Sequence, residues 1–175
     1  MVNINGDSVV LRAVEPSDVD TLYAWENDVE LWGISGTISP FSHFTLAGFI
    51  EAQRVDLFAS RQMRLMICSS EEGCAVGALD MFEFDPLHRR AGVGIMVAKE
   101  FRKRGYAADA LRAFELYVAN YLSMRLLWCN VEEDNVASIN LFTSLGYQQI
   151  GVKRDWNITA DGCKSEIMFQ KLIDS

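Results

Sequence analysis

The residues with the clearest chemical potential lie in a short basic loop between an apolar segment and a predicted helix. Arg102, Gly105 and Ala107 have the spacing R-x-x-G-x-A. Gly105 permits a backbone turn that a β-carbon would obstruct, and Ala107 is small enough for a ligand to approach the main chain. The N–H groups of residues 102–108 lie at a helix start, where unpaired donors and the helix dipole favour an anion. This pattern predicts a pocket for a phosphate or pyrophosphate.

The same loop lacks the two common nucleotide-binding signatures. Neither G-x-x-x-x-G-K-[ST] nor G-x-G-x-x-G occurs there, which leaves a different pyrophosphate ligand. Lys103 and Arg104 add positive charge to a chain whose formal net charge is -8. The alternative interpretation is a basic loop that happens to precede a helix.

Two further stretches carry a resemblance to a known family. Residues 130–147 read N-V-E-E-D-N-V-A-S-I-N-L-F-T-S-L-G-Y, and residues 11–18 read L-R-A-V-E-P-S-D. Together with the R-x-x-G-x-A loop, they resemble the motifs of the GNAT N-acetyltransferase superfamily, in order and over nearly the whole chain. In the family's second motif a strand leads to an asparagine, a short helix and then Gly-Phe or Gly-Tyr. The matching positions here are Asn135, Ser138 and 146–147.

Two branches of that superfamily resemble this chain most. The stretch H-R-R-A at residues 88–91 resembles the spermidine/spermine acetyltransferases. Asn135 and Ser138 match the N-x-x-S pattern of the ribosomal-protein N-terminal acetyltransferases. The resemblance implies an α+β (mixed α/β) fold, in which four helices flank a central mixed, mostly antiparallel sheet of six to seven strands.

The resemblance also implies acetyl-CoA as the co-substrate, and no metal. The pantetheine arm would lie in a gap between two splayed strands, and Asn135 would contact it. A second interpretation makes Asn135 the cap of the helix that follows. The residues expected to bind the cofactor are Met96, Val97, Arg102, Lys103, Arg104, Gly105, Tyr106, Ala107, Ala108 and Asn135.

Acetyl transfer to an amine needs a proton acceptor and a donor to the oxyanion. An alkyl ammonium holds its proton up to a pKa of about 10.4, so a base or a water relay must remove it. The N–H of Val97 or Met96 is the expected oxyanion donor. The resemblance favours Asp80 over Glu83 as the base, although each has an alternative as an exposed strand carboxylate. Their odd spacing places them on opposite faces of a regular strand unless a bulge intervenes.

The departing thiolate needs a proton, and here the chain differs from the family. Many members place a tyrosine late in the helix of the second motif, whereas this chain has Phe142, which has no proton to donate. Ser138, one helical turn earlier, is the expected substitute, with a plain small helix residue as the alternative. Tyr106 and Tyr147 are weaker candidates, and Tyr147 is expected to pack in the core.

The acceptor site is expected near the opening helices and the loop between them, a region that covers the acceptor in the resembling family. Trp32 and Phe41 lie beside loop glycines or serines, and Glu26 could attract a cationic amine. Glu83 completes the expected substrate-binding set. The alternative for the aromatic residues is core packing, and for the carboxylates a solvated surface.

The elements that position these residues follow from periodicity and turn residues. Pro16 with its acidic neighbours indicates a helix start, and Gly146 indicates a helix end. The predicted helices begin at 15–18 and cover 45–60, 104–121 and 135–145. The predicted strands cover 9–12, 64–68, 75–84, 90–98, 126–131, 147–156 and 163–172, the last two joined by a turn at 159–162. The helix-joined strands that precede 104–121 and follow it are expected to be parallel neighbours.

Composition restricts the number of domains and the kinds of ligand and partner that are expected. With 50% hydrophobic and 23% charged residues over 175 positions, the chain is expected to form one domain, residues 1–175. The net charge of -8 without clustered positive charge disfavours nucleic-acid binding. No apolar stretch is long enough to cross a bilayer and no signal-peptide pattern is present, so a cytoplasmic protein without a membrane partner is expected. Four scattered cysteines and two lone histidines disfavour a metal site.

These observations lead to one main functional hypothesis and two alternatives. The main hypothesis is an acetyl-CoA-dependent N-acetyltransferase that moves an acetyl group to a primary amine by direct attack, with a small amine such as a polyamine as the acceptor. One alternative is a protein N-terminal acetyltransferase of the ribosomal-protein type, which would act on a peptide N-terminus. The other is a non-catalytic CoA-binding module, motivated by Phe142. Because many members of the family dimerise, a homodimer is a further expectation from the resemblance.

Overall fold

One mixed sheet dominates the computed structural model, which describes residues 4–30, 32, 37–159 and 162–173. The strands are β1 (Ile4–Asn5), β2 (Val9–Ala13), β3 (Met63–Ser69), β4 (Ala75–Asp85), β5 (Arg90–Val97), β6 (Leu126–Glu132), β7 (Gln148–Thr159) and β8 (Gly162–Leu172). The helices are α1 (Val19–Glu26), α2 (His43–Ala52), α3 (Leu57–Ser60), α4 (Tyr106–Leu122) and α5 (Val136–Ser144). The strands lie side by side in the order β1-β2-β3-β4-β5-β6-β8-β7.

The mixed α/β fold predicted from the sequence is confirmed, with small differences in the number of elements. Every neighbouring strand pair is antiparallel except β5 and β6, which are parallel as expected for strands joined by a helix. The sheet has eight strands because Ile4 and Asn5 pair with β2, a two-residue edge too short to show a pattern. No helix within the described ranges is both long enough and apolar enough to cross a membrane.

The helix predicted over residues 45–60 is interrupted and forms α2 and α3. Gln53 ends α2, and its side-chain oxygen accepts a hydrogen bond from the backbone N–H of Arg64 at 3.1 Å. Asp56 begins α3 by accepting from the N–H of Phe58 at 2.9 Å. Because the Asp56 side chain bonds to the backbone two residues on, it favours a new helix start, and the chain turns here although the apolar periodicity continues.

Helices cover both faces of the sheet. On one face α4 and α5 form the larger core, in which Leu65 and Phe114 are fully or almost fully buried. On the opposite face α1 and α2 pack over β3, with Leu22 and Ile50 against Met66. Since side chains alternate along a strand, every second residue of β3, β4, β5 and β6 belongs to this second side, which we call the α1/α2 face.

The carboxylate of Asp109 ties the first residues of the chain to α4. Its Oδ1 accepts from the N–H of Asp7 at 3.0 Å, and its Oδ2 accepts from the N–H groups of Ser8 at 2.7 Å and Val9 at 3.1 Å. Burial opposes the charged form, but these hydrogen bonds outweigh it and lower the pKa of Asp109 below its usual 3.8. The contacts fix the beginning of α4, and with it the basic loop, against the sheet.

Replacing this carboxylate should destabilise the fold in a pH-dependent way. Asp109→Asn keeps the shape but presents an NH₂ group to backbone donors, so we expect the free energy of unfolding at pH 7 to fall by about 2 kcal/mol. Because the folded-state pKa of Asp109 is lowered, its contribution is present above about pH 4 and is lost as the pH falls further. Urea denaturation at pH 7 and at pH 3 measures both effects.

The matched control is Glu71→Gln, which removes one carboxylate charge from an exposed turn. This variant should change the free energy of unfolding by less than about 0.5 kcal/mol at either pH. Equal stabilities of Asp109→Asn and the parent protein at pH 7 would contradict the anchoring role of Asp109.

Candidate active site

The basic loop forms an open backbone turn that leads directly into α4. Gly105 is the residue before the helix and has φ 85°, and Lys103 has φ 63°, so two left-handed residues bend the chain within three positions. The first bond that closes the helix runs from the N–H of Asp109 to the carbonyl of Gly105 at 3.1 Å. The amides of residues 106–108 have no carbonyl one turn earlier within the helix, which leaves them as donors at its positive end.

Two charged side chains of the loop are held by hydrogen bonds. Arg102 donates from Nε to the carbonyl of Val97 at 3.1 Å, and Arg104 donates to Glu72 Oε1 at 2.9 Å. Tyr106 contributes only its main chain, because its ring is buried in the core and its hydroxyl lies 3.3 Å from the Ser69 hydroxyl. This burial removes the Tyr106 side chain from contact with a ligand at the loop.

Strands β5 and β6 separate soon after they begin to pair. Their registered pairs run only from Arg90↔Leu126 to Gly92↔Trp128, although both strands continue. Along β5, Ala98 donates to Val76 on β4 at 2.9 Å, whereas the carbonyl of Val97 points away from β4 to Arg102. Because backbone groups alternate along a strand, the N–H of Val97 faces the gap and that of Met96 faces β4. The gap therefore presents unpaired main-chain groups along its β5 side.

A cleft of about 1190 Å³ opens between the diverging strands. It brings together seven of the expected site residues and Phe142, namely Glu26, Trp32, Phe41, Asp80, Met96, Asn135, Ser138 and Phe142. The basic loop is not among the lining residues. A cofactor held at the loop therefore has to extend along the gap to reach this cleft.

Asp80 lies in the cleft and forms a two-point ion pair with Arg64. Both of its oxygens accept from the guanidinium of Arg64, Oδ1 from Nε at 2.7 Å and Oδ2 from Nη2 at 2.8 Å. Arg64 also forms an ion pair with Glu26 and stacks over the ring of Phe49 at 5.0 Å. The Arg64 side chain is 18% exposed and that of Asp80 is 37% exposed. The guanidinium thus lies behind the carboxylate, which faces the open space.

Gly94 leaves room directly beside Asp80. Gly94 and Asp80 are cross-strand partners. On the other side of β5, Gly92 pairs with Trp128, so Asn130 lies two positions further along β6 on the same face. A Cβ added at Gly94 would meet only the ring of Phe82, at 3.8 Å. Core packing therefore does not require glycine here, and its missing side chain widens the cleft.

The second motif contributes the opposite wall of the cleft. Asn135 caps α5 by accepting from the N–H of Ser138 at 3.1 Å, so the capping interpretation of Asn135 is confirmed. Phe142 is buried and packs edge-on against Tyr147 at 5.0 Å between ring centroids. Tyr147 lies in the core as expected, and burial raises the pKa of its phenol well above its usual value.

The acceptor-side residues are held by α1 and the segment before α2. Trp32 donates from Nε1 to the carbonyl of Glu26 at 2.9 Å. Asn27 exchanges two hydrogen bonds with the backbone of Phe41, at 2.9 and 3.0 Å. These bonds fix Trp32 and Phe41 along the rim of the cleft near α1.

The cleft also contains carboxylates that sequence reasoning missed. Glu132 on β6 and Glu166 on β8 are directly opposite each other and both line the cleft. With Glu26 and Asp80 they make four carboxylates in the described lining of the cleft. Arg64 pairs with Glu26 and Asp80, whereas Lys153 pairs with Glu166 and Lys164 with Glu132. No sequence pattern indicated this pairing, because it depends on the register of two strands that lie more than thirty residues apart.

Glu83 lies outside this cleft. It has φ 49° at a register shift in β4, and it lines a second cavity of about 680 Å³. No group of three or more His, Cys, Asp or Glu side chains in the described part of the chain is arranged to hold a metal ion.

Comparison with known proteins identifies the family. A profile described as "Acetyltransferase (GNAT) domain" matches residues 8–148. The chain belongs to the GNAT acetyltransferase family. The Uncharacterized N-acetyltransferase p20 of Bacillus licheniformis is 26% identical over 157 residues, which cover 89% of this chain and 88% of the relative.

Solved structures share the fold. The spermidine N-acetyltransferase from Vibrio cholerae, in complex with CoA and spermine, has a TM-score of 0.85 at 16% identity and covers 94% of this chain and 95% of its own. A ribosomal L7/L12 alpha-N-protein acetyltransferase in complex with coenzyme A also has a TM-score of 0.85 at 16% identity, with 99% of both chains covered. At these identities the two structures establish the GNAT fold of this chain and nothing finer.

Acetyl-CoA is the co-substrate of GNAT enzymes, and the loop fits its pyrophosphate. The helix-start amides of residues 106–108 can donate to phosphate oxygens, and Gly105 leaves them uncovered because nothing lies within 4 Å of a Cβ built there. The pantetheine amides match the unpaired groups of β5 beside the gap. A thioester carried along the gap would reach the cleft.

A Cβ at Gly105 should weaken acetyl-CoA binding more than it weakens the fold. In Gly105→Ala the left-handed φ of 85° becomes unfavourable, and we expect a loss of about 1 kcal/mol in unfolding free energy. A shifted loop would also lose about one charge-assisted hydrogen bond to phosphate, which raises the Kd for acetyl-CoA about tenfold. Isothermal titration calorimetry measures the Kd, and urea denaturation measures the stability.

Gly146→Ala is the matched control, since Gly146 has φ 87° and follows the far end of α5. It should lose a similar amount of stability while keeping the Kd of the parent protein. Equal Kd values for all three proteins would contradict phosphate binding at the loop.

Proposed function

We propose that this GNAT enzyme acetylates a small cationic primary amine, with a polyamine as the leading acceptor class. The observation that carries this proposal is the surplus of negative charge in the cleft, which four carboxylates line. Among the described residues three cations pair with them: Arg64 with Glu26 and Asp80, Lys153 with Glu166, and Lys164 with Glu132. Such a lining attracts an ammonium group and opposes an anionic acceptor. The spermidine N-acetyltransferase of Vibrio cholerae, which shares the fold, supports the same class of acceptor.

Direct attack of the amine on the thioester is the mechanism that the cleft supports. Cys129 is the thiol among the described lining residues, and burial raises its pKa to about 12. At neutral pH Cys129 is therefore a neutral thiol, which is a poor nucleophile for an acetyl-enzyme route. The amine instead attacks the thioester carbonyl itself, and CoA leaves as a thiolate.

Asp80 is the proposed proton acceptor and Val97 the proposed oxyanion donor. The exposed edge of Asp80 lies beside the space above Gly94, where an ammonium can hydrogen-bond to it and pass on a proton directly or through water. The N–H of Val97 faces the gap in which the thioester lies, so it can donate to the developing oxyanion. Met96, whose N–H is directed to β4, contributes its side chain to the cleft lining.

Ser138 is the proposed proton donor to the departing thiolate. It lies in the first turn of α5 and lines the cleft, one helical turn before Phe142. Phe142 has no hydroxyl, Tyr147 is buried in the core, and the described lining residues include no phenol. Asn135, which fixes the start of α5, is proposed to contact the pantetheine arm with the edge of its amide that the cap leaves open.

A second candidate function is acetylation of a protein N-terminus. Three large apolar side chains on the rim of the cleft are exposed, namely Ile38 at 94%, Trp156 at 61% and Ile158 at 88%. An apolar rim of this kind suits the side chains of a peptide better than a small polyamine. The shared fold of the ribosomal L7/L12 alpha-N-protein acetyltransferase points in the same direction.

An acceptor screen tests these proposals against each other. Acetyl-CoA is incubated with the protein and with monoamines, diamines, spermidine, or peptides with free N-termini, and thiol release is followed while products are identified by mass. Acetylated polyamines support the proposed function, and acetylated peptides alone support the second candidate. Binding of acetyl-CoA without transfer to any amine or peptide would support the CoA-binding module instead.

The role of Asp80 predicts a pH-dependent loss of rate. Asp80→Asn should lower kcat for an amine acceptor about 10²- to 10⁴-fold at pH 7, because the ammonium then lacks its proton acceptor. The deficit should shrink as the pH approaches about 10, where the amine loses its proton to solvent without help. Initial rates of thiol release between pH 6.5 and pH 10 measure this profile.

Asp20→Asn is the control for that profile, since Asp20 is an exposed residue of α1 that pairs with His43. It should follow the parent protein throughout the pH range. A deficit of Asp80→Asn that stays constant with pH would indicate that Asp80 holds Arg64 in place and does not accept the proton.

A further inference from the structure

The second cavity lies on the same side of the sheet as the acceptor end of the cleft. Its volume of about 680 Å³ is in the range of small-molecule sites. Asn130 lines both spaces and so forms part of the wall between them. The side chain of Phe82, which follows Asp80 on the α1/α2 face, packs edge-on against Trp128 in the second cavity at 5.2 Å. The two spaces are therefore neighbours along one face.

A bulge in β4 turns Glu83 into this second cavity. A regular strand would direct Asp80 and Glu83 to opposite faces, because their positions differ by three. The register shift between Phe82 and Asp85 and the left-handed φ of 49° at Glu83 break that alternation. Glu83 consequently lines the cavity together with Trp128 and Asn130. Residues with strained backbone are often found at functional sites, where a bulge redirects a side chain.

The other charges of the cavity are mostly committed to partners. Arg90 lies 3.3 Å from Asp85, and Lys153 lies 2.7 Å from Glu166. Arg61 donates weakly to the carbonyl of Phe84 at 3.4 Å. Within the described residues Glu83 has no ion pair or hydrogen bond to its carboxylate. One carboxylate is thus available in the cavity, opposed by the guanidinium of Arg61.

The wall between the two spaces can contact a linear chain of methylene groups that contains a secondary amine. Trp128 and Met168 supply an apolar surface. The Oδ1 atom of Asn130 is buried without a hydrogen-bond partner among the described residues. Turning this amide about its broad terminal torsion would direct the oxygen to a donor that lies against Asn130, and would relieve that deficit.

We propose that the second cavity is the subsite for the far end of a linear polyamine acceptor, with Glu83 as the receptor of its distal ammonium. This inference rests on the proposed function and adds to it the length of the acceptor chain that the site would bind. Asp80 and Glu83 are three residues apart on β4, which separates their attachment points by roughly 10 Å. An acceptor whose reacting nitrogen lies at Asp80 can place its other terminal nitrogen at Glu83 only if the two nitrogens are roughly 10 Å apart. Methylene groups then cross Trp128.

The subsite predicts that KM depends on acceptor length through Glu83. Glu83→Gln should raise the KM for spermidine about fivefold, the effect of one partly exposed ion pair, and leave kcat unchanged. The KM for n-butylamine, which has no distal ammonium, should stay the same. Arg61→Met removes the opposing charge and should lower the KM for spermidine. Glu71→Gln, a carboxylate lost from a remote exposed turn, is the control and should match the parent protein with both amines.

The outcomes separate this inference from the function on which it rests. If the parent protein acetylates spermidine and Glu83→Gln does so with the same KM, the subsite is overturned and the polyamine proposal stands. If Glu83→Gln raises the KM for n-butylamine as much as that for spermidine, Glu83 acts on the cleft as a whole and the subsite is again overturned. If the parent protein binds acetyl-CoA by calorimetry but acetylates only peptides, the polyamine proposal and the subsite both fail.

Discussion

The divergence of β5 from β6 is the constraint on which the rest of the structure depends. A parallel pair that stays together would consume the outward amides of β5 in a ladder, whereas this pair stops after three registered positions. The amides that remain, including that of Val97, can bind a cofactor. The same separation opens the cleft, and the loop that follows β5 delivers the positive start of α4 to one end of the gap. Cofactor binding and the space for the reaction thus have a common origin in the sheet.

The second organising feature is the balance of charge on the α1/α2 face. Arg64 is a half-buried cation that joins α1, α2 and β4 through Glu26, Phe49 and Asp80. Partly buried charges of this kind require partners, and removing one partner leaves the other uncompensated. Arg64 therefore holds Asp80 in one orientation, and the surplus of carboxylates keeps the cleft attractive to cations. Electrostatics and geometry act together there, because the group that fixes the carboxylate lies behind it and leaves its outer edge open.

Features that depend on near neighbours in the chain follow from the sequence, whereas those that depend on strand geometry do not. The R-x-x-G-x-A loop, the cap at Asn135 and the burial of Tyr147 were all predictable, because each depends on neighbours within a few residues or on a familiar motif. The continuous helix predicted over residues 45–60 was wrong, since Gln53 and Asp56 bond to the backbone and end or begin a helix there. The odd spacing of Asp80 and Glu83 predicts opposite faces in a regular strand, and only the structure shows the bulge that overrides this alternation.

By itself the sequence determined the order of the elements, the parallel contact of the two helix-joined strands and the position of the R-x-x-G-x-A loop before α4. These features depend on local periodicity, turn residues and short motifs, which act over a few positions. Only the tertiary structure decided that Arg64 occupies both oxygens of Asp80, that Glu132 faces Glu166, and that Asn130 lies between two cavities. Those facts depend on strand register and on where strands part. Register is set by the packing of the whole sheet, and a shift of one residue would turn each of these side chains to the other face.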